Sequence, residues 1–331
     1  MGTEPITLQE AIVYFSEAAN CREYLVARRW PNGVICPRCG SSNVLFLEKY
    51  NRWHCRQKHD APQFTLKTGT IFEDSPLGLD KWLAAMWQVV NSRNGISSCE
   101  TARAIGITQK SAWFMDHRIR FALHQGTFDK MLSGEVEADE TFIGQKARNM
   151  HKDVRARKIT GTGGKDKTMV MGILERGKGG KSSKVRTSVV SNRKKKALQP
   201  ELRKHVEAGS AIYTDALKSY EGLDEFEHGV VDHAVQYVDG KIHTNGLENF
   251  WSLLKRGLHG TYISVEPFHL FRYLEVQAYR YNNRKDDAGA VLSDADRFDL
   301  AVRQIVGKRL TFDQLTGKIP PAPDNMEAAV A

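Results

Sequence analysis

The sequence predicts a multidomain α+β chain: a small β-rich module, then a helical unit, then a larger α/β unit with a mixed sheet flanked by helices. Three observations carry this reading. Residues 31–74 break into short β-prone pieces ("VLFLEK", "RWHC", "QFTL") between Pro, Gly and Cys. Residues 76–125 return to helical periodicity in three segments, about 78–92, 97–105 and 109–124. From Ser133 onward, strand-like runs ("GEVEADETFIG", "TMVMGILER", "KVRTSVVS", "SAIYTD") are interleaved with helical ones.

The elements follow in order. Residues 5–30 read as one helix, with Leu8, Ala11, Ile12, Phe15 and Ala18 at helical spacing. After the β-rich module and the helical trio, "QPELRKHVEAG" is helical. So is "HTNGLENFWSLLKRGLHG" (His243–Gly260), where Leu247, Phe250, Trp251, Leu254 and Leu258 make a core-facing stripe. Beside that stripe runs a polar row of Asn245, Glu248, Ser252 and Lys255. A further helix spans about 267–283, helical pieces lie around 293–315, and "IPPAPDNMEAAVA" reads as a loose tail. The expected divisions are 1–30, 31–75, 76–130, 131–290 with a basic insertion at 145–168, and 291–331.

The chain of 331 residues has room for two or three units with their own cores. No run of eighteen apolar residues exists, so no membrane span is expected. The start, "MGTEPITLQEAIVYF", is acidic where a secretory leader is basic, and position 6 lacks the Ser or Thr of a myristoylation signal. A cytoplasmic, nucleoid-associated protein is expected. The net charge of +9 is uneven: Gln145 to Ala208 holds 19 Lys and Arg against 5 Asp and Glu, leaving the remainder at −5. A surplus of +14 so concentrated, with "RKKK" (Arg193–Lys196) and "KARNMHKDVRARK" (Lys146–Lys158), favours a polyanion over an ordinary solvated face.

Five cysteines are too few and too irregular for a disulfide framework, yet three of them cluster. Cys36 and Cys39 in "CPRCG", with Cys55 and His59 in "WHCRQKH", give C-x2-C-x15-C-x3-H, the spacing of one structural zinc site. A β module of under about 50 residues needs such a metal in place of a core. His54 and His59 both flank Cys55 and compete for the fourth position. Cys21 and Cys99 sit in helical patterns as ordinary small apolar residues.

"GISSCETARAIGITQKSAWFMDHRIRFAL" has the layout of a helix-turn-helix: Ala102 and Ile105 in a first helix, Gly106 at the turn, Thr108 capping a second. Gln109, Lys110 and Ser111 then open the helix that approaches base edges, with His117, Arg118 and Arg120 toward phosphates. Plain packing is the bland alternative for such a trio. The cysteine cluster before it and the basic region after it tip the balance to DNA.

Two carboxylates end strand-like runs, Asp139 after "GEVEA" and Asp215 after "SAIYT", 76 positions later. Another 33 positions on comes Glu248, with Lys255 two turns beyond it on the same helix. Singly, each reads as a turn cap or a solvated charge. The order of blocks changes that. "GEVEADETFIG", "IYTDALKSY", "HTNGLENFWSLLKRGLHGTYISVEP" and "YRYNNR", preceded by "CPRCG" and "FTLKTGTIFEDSPLGLDKW", resemble the insertion-sequence transposases that join an N-terminal zinc ribbon to a DDE catalytic domain of ribonuclease-H-like fold. The resemblance covers nearly all of the chain apart from the tail.

The resemblance implies that Asp139, Asp215 and Glu248 are an acidic triad for two Mg²⁺ or Mn²⁺ ions, with Lys255 as the trailing basic residue. Asn245 is close enough on the helix to share that site. Many relatives carry a second Cys knuckle where this chain has Cys55 and His59. Two divalent ions about 3.5–4 Å apart activate the attacking oxygen and stabilise the leaving one. Neighbouring carboxylates repel one another without such ions, a poor structural choice and a good catalytic one. Glu137 shares strand parity with Asp139 and reads as secondary, whereas Glu140 faces the other way.

The expected partner is double-stranded DNA, both terminal inverted repeats and target, in a homodimer or larger assembly. Gln109 and Lys110 with Arg118, then Arg155, Arg157 and Lys158 of the insertion, and Lys255 and Arg256 are the expected DNA contacts. Tyr279 to Arg284 reads as helix packing plus a phosphate contact or two through Arg280 and Arg284. The rival expectations are a non-catalytic DNA-binding regulator and a metal-dependent nuclease of the same fold.

Overall fold

A computed structural model describes residues 4–124, 130–144, 150–159, 167–231 and 243–319. The tail from 320 and half of the basic insertion (145–149 and 160–166), including Lys146, lie outside the described residues. The chain forms two compact units. The first comprises residues 1–92, 96–124 and 292–320, and the second residues 93–95, 125–291 and 321–331. Among the described residues, no helix is long and apolar enough to cross a membrane.

The first unit opens with α1 (Leu8–Phe15) and α2 (Ala18–Arg29). Thr7 and Glu10 form a capping box that starts α1. The single helix expected over 5–30 is divided at Ser16–Glu17. Polar side chains capture the carbonyls that would have continued it: Ser16 Oγ donates to Val13 O, and Asn20 Nδ2 to Tyr14 O. Cys21 Sγ lies 3.0 Å from Phe15 O, so that cysteine is part of the helix junction.

Next comes a three-stranded antiparallel sheet in the order β1-β2-β3, from Val44–Leu47, Arg52–Cys55 and Gln63–Phe64. Trp53 stacks on Phe64 at 5.8 Å and meets Trp30 edge-on at 5.5 Å, a very small aromatic core. Helices α3 (Leu79–Asn91), α4 (Ser98–Ile105) and α5 (Gln109–Leu123) match the expected trio. Ser97 and Glu100 cap α4, Gly106 ends it at φ +63°, and the Thr108 hydroxyl accepts from Ser111 N to start α5.

The C-terminal helical segment completes this same unit. Phe298 of α10 (Asp294–Val302) packs 4.9 Å from Trp87 and 5.8 Å from both Phe15 and Tyr24. Arg28 pairs with Asp299 at 2.6 Å. Leu315 of α11 (Phe312–Leu315) and Leu310 are buried with Phe121 of α5.

The second unit holds a five-stranded mixed sheet in the order β6-β5-β4-β7-β8. Its strands are β4 (Glu135–Ile143), β5 (Thr168–Glu175), β6 (Lys184–Val190), β7 (Ala211–Asp215) and β8 (Glu227–Val231). The first three are antiparallel neighbours, and β7 and β8 add on in parallel. Helices α6 (Lys152–Lys158), α7 (Lys195–His205), α8 (Asn245–Gly260) and α9 (Leu270–Asn282) belong to the same unit.

Strand β4 is central, buried on both faces, and its alternation sorts its side chains. Val136 and Ala138 join Ile173, Ile212 and Tyr220 with Leu198 and Leu202 of α7. The opposite core holds Val170, Leu174 and Val185 under Leu247, Phe250, Trp251, Leu254 and Leu258 of α8 and Leu270 and Leu274 of α9. The whole apolar stripe read from α8 is thus buried on the sheet, and this packing fixes where its polar row stands.

Candidate metal centre and acidic site

Cys36, Cys39, Cys55 and His59 converge so that one ligand atom from each lies within 4.8 Å of all the others. Cys36 Sγ stands 3.5 Å from His59 Nε2, and Cys39 Sγ 3.6 Å from Cys55 Sγ. A tetrahedron with Zn–S near 2.3 Å and Zn–N near 2.05 Å has edges of roughly 3.6–3.8 Å. The donors therefore fit a zinc ion. His59, not His54, supplies the fourth donor, and its Nδ1 lies 2.8 Å from Asp60 O, which leaves Nε2 to face the sulfurs. His54 is on β2 beside Cys55, one residue out of phase, so the strand's alternation turns it away. Burial opposes thiolate formation at Cys36. The backbone N–H groups of Arg38 and Cys39 and the neighbouring thiols outweigh it and bring Cys36 down to about 7. That is the electrostatic setting a metal thiolate needs.

In the second unit, β4 and β7 pair in parallel through Glu135↔Ala211, Val136↔Ile212 and Glu137↔Tyr213. Asp139 lies two residues beyond the last paired position on β4 and Asp215 two beyond it on β7, so both stand at the same end of these neighbouring strands. Asp139 is largely buried. Burial raises its carboxyl above the ordinary aspartate range, opposed by bonds from Trp251 and Glu140 and reinforced by the charges of Asp215 and Glu248. The three carboxylates do not all lie within 4.8 Å of one another. Asp215 is 29% exposed at the end of β7, and its Oδ2 is 4.0 Å from Arg193. Glu248, Asn245 and Arg256 are exposed on α8, with Lys255 half-buried on the same helix.

Helix α8 is docked by a residue that strand parity pairs with Asp139. Glu137 is 1% exposed. Its Oε2 accepts from Leu247 N at 3.0 Å, a first-turn N–H with no partner inside the helix. Its Oε1 accepts from Arg176 Nε at 2.8 Å and lies 3.4 Å from His243 Nδ1. Arg176 also donates to His243 O at 2.7 Å, so strand, helix start and preceding loop are tied by one buried carboxylate. Sequence reasoning classed Glu137 as secondary and missed this role. Removing one partner of a buried pair costs about 3–5 kcal/mol. Glu137→Ala is therefore expected to lower the unit's stability by roughly 3 kcal/mol, measured by denaturant unfolding.

Glu140 faces the opposite side, as its parity predicts. It accepts from the Tyr220 hydroxyl and from Arg193 Nε, the latter at 3.2 Å. Arg193, read only as part of a basic run, thus spans Glu140 and Asp215.

The expected DNA contacts divide. Arg118 is 3% exposed; it donates to Glu73 O and lies over the Trp82 and Phe114 rings, so it serves the core and does not face phosphate. His117 and Arg120 are buried as well, Arg120 lying 3.9 Å from Asp116. The helix from which they project turns that face inward, which periodicity alone did not reveal because Arg and His read as polar. Gln109 is exposed and bonded to Ser98 Oγ at 2.9 Å, and the exposed Lys110 ammonium is 5.2 Å from the Phe312 ring. Arg155 and Arg157 are exposed on α6, Arg157 pairing with Asp153 at 3.1 Å; the Lys158 side chain lies outside the described residues. Arg280 donates to Val276 O, and Arg284 lies 3.8 Å from the Tyr281 ring, both helix contacts.

Comparison with known proteins gives concordant matches. Residues 131–282 match the family model of the ISXO2-like transposase domain, and residues 16–57 that of the transposase zinc-ribbon domain. The chain is 28% identical over 243 residues to an uncharacterized protein in transposable element ISH50 of Halobacterium salinarum, covering 70% of this chain and 79% of that one. It is 35% identical over 102 residues to an uncharacterized transposase-like protein of Haemophilus influenzae, covering 30% of this chain and 82% of that one.

Proposed function

This chain belongs to the family of ISXO2-like transposases with a transposase zinc ribbon, and from that premise we propose that it moves an insertion sequence by DDE chemistry. It binds the element's terminal inverted repeats, nicks there with water, and joins the freed 3′-hydroxyl to target DNA. The observation that carries this reading is geometric: Asp139 and Asp215 stand at the same end of the neighbouring parallel strands β4 and β7, and α8, which bears Glu248, is bonded to Asp139 through Trp251. The sheet order, three antiparallel strands extended by two parallel ones with helices on both faces, supports a ribonuclease-H-like fold.

Hard oxygen donors fit Mg²⁺ or Mn²⁺. Two such ions, when bound, supply charge neutralisation and an activated oxygen at the phosphorus. Asp139 and Asp215 would hold them from the sheet, Glu248 would close the set from α8, and Asn245 at the helix start would share it. Lys255, two turns along the same helix, is suited to meet a phosphate of the DNA, as is Arg256. The ribbon and the α4–α5 pair, used as a helix-turn-helix led by Gln109 and Lys110, are the proposed readers of the repeats. Bringing two ends together calls for a homodimer or larger assembly.

A strand-transfer assay tests this reading. With repeat-bearing donor and plasmid target, the expected product is a new donor–target junction. Cleavage without joining would indicate a nuclease, and binding without cleavage a regulator. If the basic segment grips about six phosphates, raising salt from about 50 to about 200 mM weakens binding roughly 10³-fold. A flat binding curve over that range would contradict the grip.

A further inference from the structure

The Trp251 indole was read from the sequence only as part of the buried stripe of α8. Its Nε1 donates to Asp139 Oδ2 at 2.9 Å. The other oxygen, Oδ1, accepts from Glu140 N at 2.8 Å. Each carboxylate oxygen is therefore held by one neutral N–H, and each keeps lone-pair capacity for a further partner.

A second observation concerns the sheet beneath the indole. Gly172 on β5 is the register partner of Asp139. A Cβ added there would stand 2.6 Å from Trp251 Cζ2 and 2.8 Å from Leu247 Cδ2. Glycine inside a strand weakens it, and the usual reason for one is close approach of another group. Here the absent side chain makes the slot through which the indole reaches the aspartate. Gly246 does the same at the helix start, where a Cβ would stand 2.8 Å from Glu137 Oε2.

Trp251 is three residues after Glu248, so the two side chains leave one turn of α8. The indole bond therefore links the acid on the strand to the acid on the helix through less than one helical turn. We infer that Trp251 is a positioning residue that sets the orientation of Asp139 and its spacing from Glu248 for divalent-ion binding. Indole N–H carries no charge to compete with a cation, and its ring is wedged by packing, so the carboxylate is oriented before any ion arrives. This rests on the DDE reading above.

The test is Mn²⁺ binding by the zinc-loaded full chain, followed by electron paramagnetic resonance. Trp251→Phe keeps the ring and removes the N–H; it is expected to weaken Mn²⁺ binding about tenfold, as loss of a partner to a metal ligand does. Gly172→Ala, which displaces the indole without removing it, should weaken binding similarly. Repeat-DNA affinity should stay native in both, a split that general unfolding would not give. In the native chain, one indole N–H resonance should move on adding Mg²⁺, and none should move in Asp139→Asn. Native Mn²⁺ affinity in Trp251→Phe, or no indole shift in the native chain, would overturn the role of Trp251. Native Mn²⁺ affinity in Asp139→Asn would instead overturn the DDE reading itself.

Discussion

Replacing Asp215 by Asn is expected to leave a folded chain that binds repeat DNA yet transfers strands at least about 10³-fold more slowly. The magnitude follows from the several kcal/mol that metal-ion catalysis supplies; losing about 4 kcal/mol of it is about a thousandfold in rate. The fold should survive because Asp215 ends β7 at 29% exposure, with its Oδ1 making one local bond to Leu217 N and its Oδ2 only a long contact to Arg193. Asn keeps that shape and removes the charge. Asp139→Asn and Glu248→Gln should fall by similar factors, and the three losses should be far from additive, since acids that hold one pair of ions act as a unit. Full strand transfer in Asp215→Asn would remove it from the site.

Loss of zinc should have the second large effect. Structural zinc contributes an apparent ~10–16 kcal/mol in small modules. The ribbon has little else: three short strands and the Trp30, Trp53 and Phe64 cluster. Cys36→Ser or a strong chelator is expected to unfold residues 31–66, seen as protease cleavage there, and to abolish repeat recognition. Metal analysis should find about one zinc per chain in the native protein and much less in Cys36→Ser. A Cys36→Ser chain that keeps its full zinc would refute the ligand set. The sheet of the second unit has its own cores, so its unfolding transition should stay in place.

What could be read in the sequence was what local spacing encodes. The stripe Leu247, Phe250, Trp251, Leu254 and Leu258 is buried as the helical period requires, and Cys36, Cys39, Cys55 and His59 meet as their separations allow. Thr108 and Gly106 mark the α4–α5 turn for the same reason. Failures came where distant partners decide. Arg118 carries a charge that periodicity counts as exposed, but a backbone carbonyl 45 residues away and two aromatic rings take it inside. Glu137 could not be told from an outward strand carboxylate without Leu247 N and Arg176 beside it. The joining of α10 to α1–α3 depends on Phe298 meeting Phe15, Tyr24 and Trp87, a contact nearly the length of the chain. One missed signal was present: Gly172 interrupts the otherwise apolar strand "TMVMGILE", and such a gap asks what fills it.

The central claim is that Asp139, Asp215 and Glu248 form one divalent-ion site. Crystals of the chain with its repeat DNA, grown in Mn²⁺, test it through the anomalous signal of the metal. Two peaks about 3.5–4 Å apart, ligated by all three carboxylates, are the predicted result. Manganese bound elsewhere, with Glu248 turned to solvent, would contradict it.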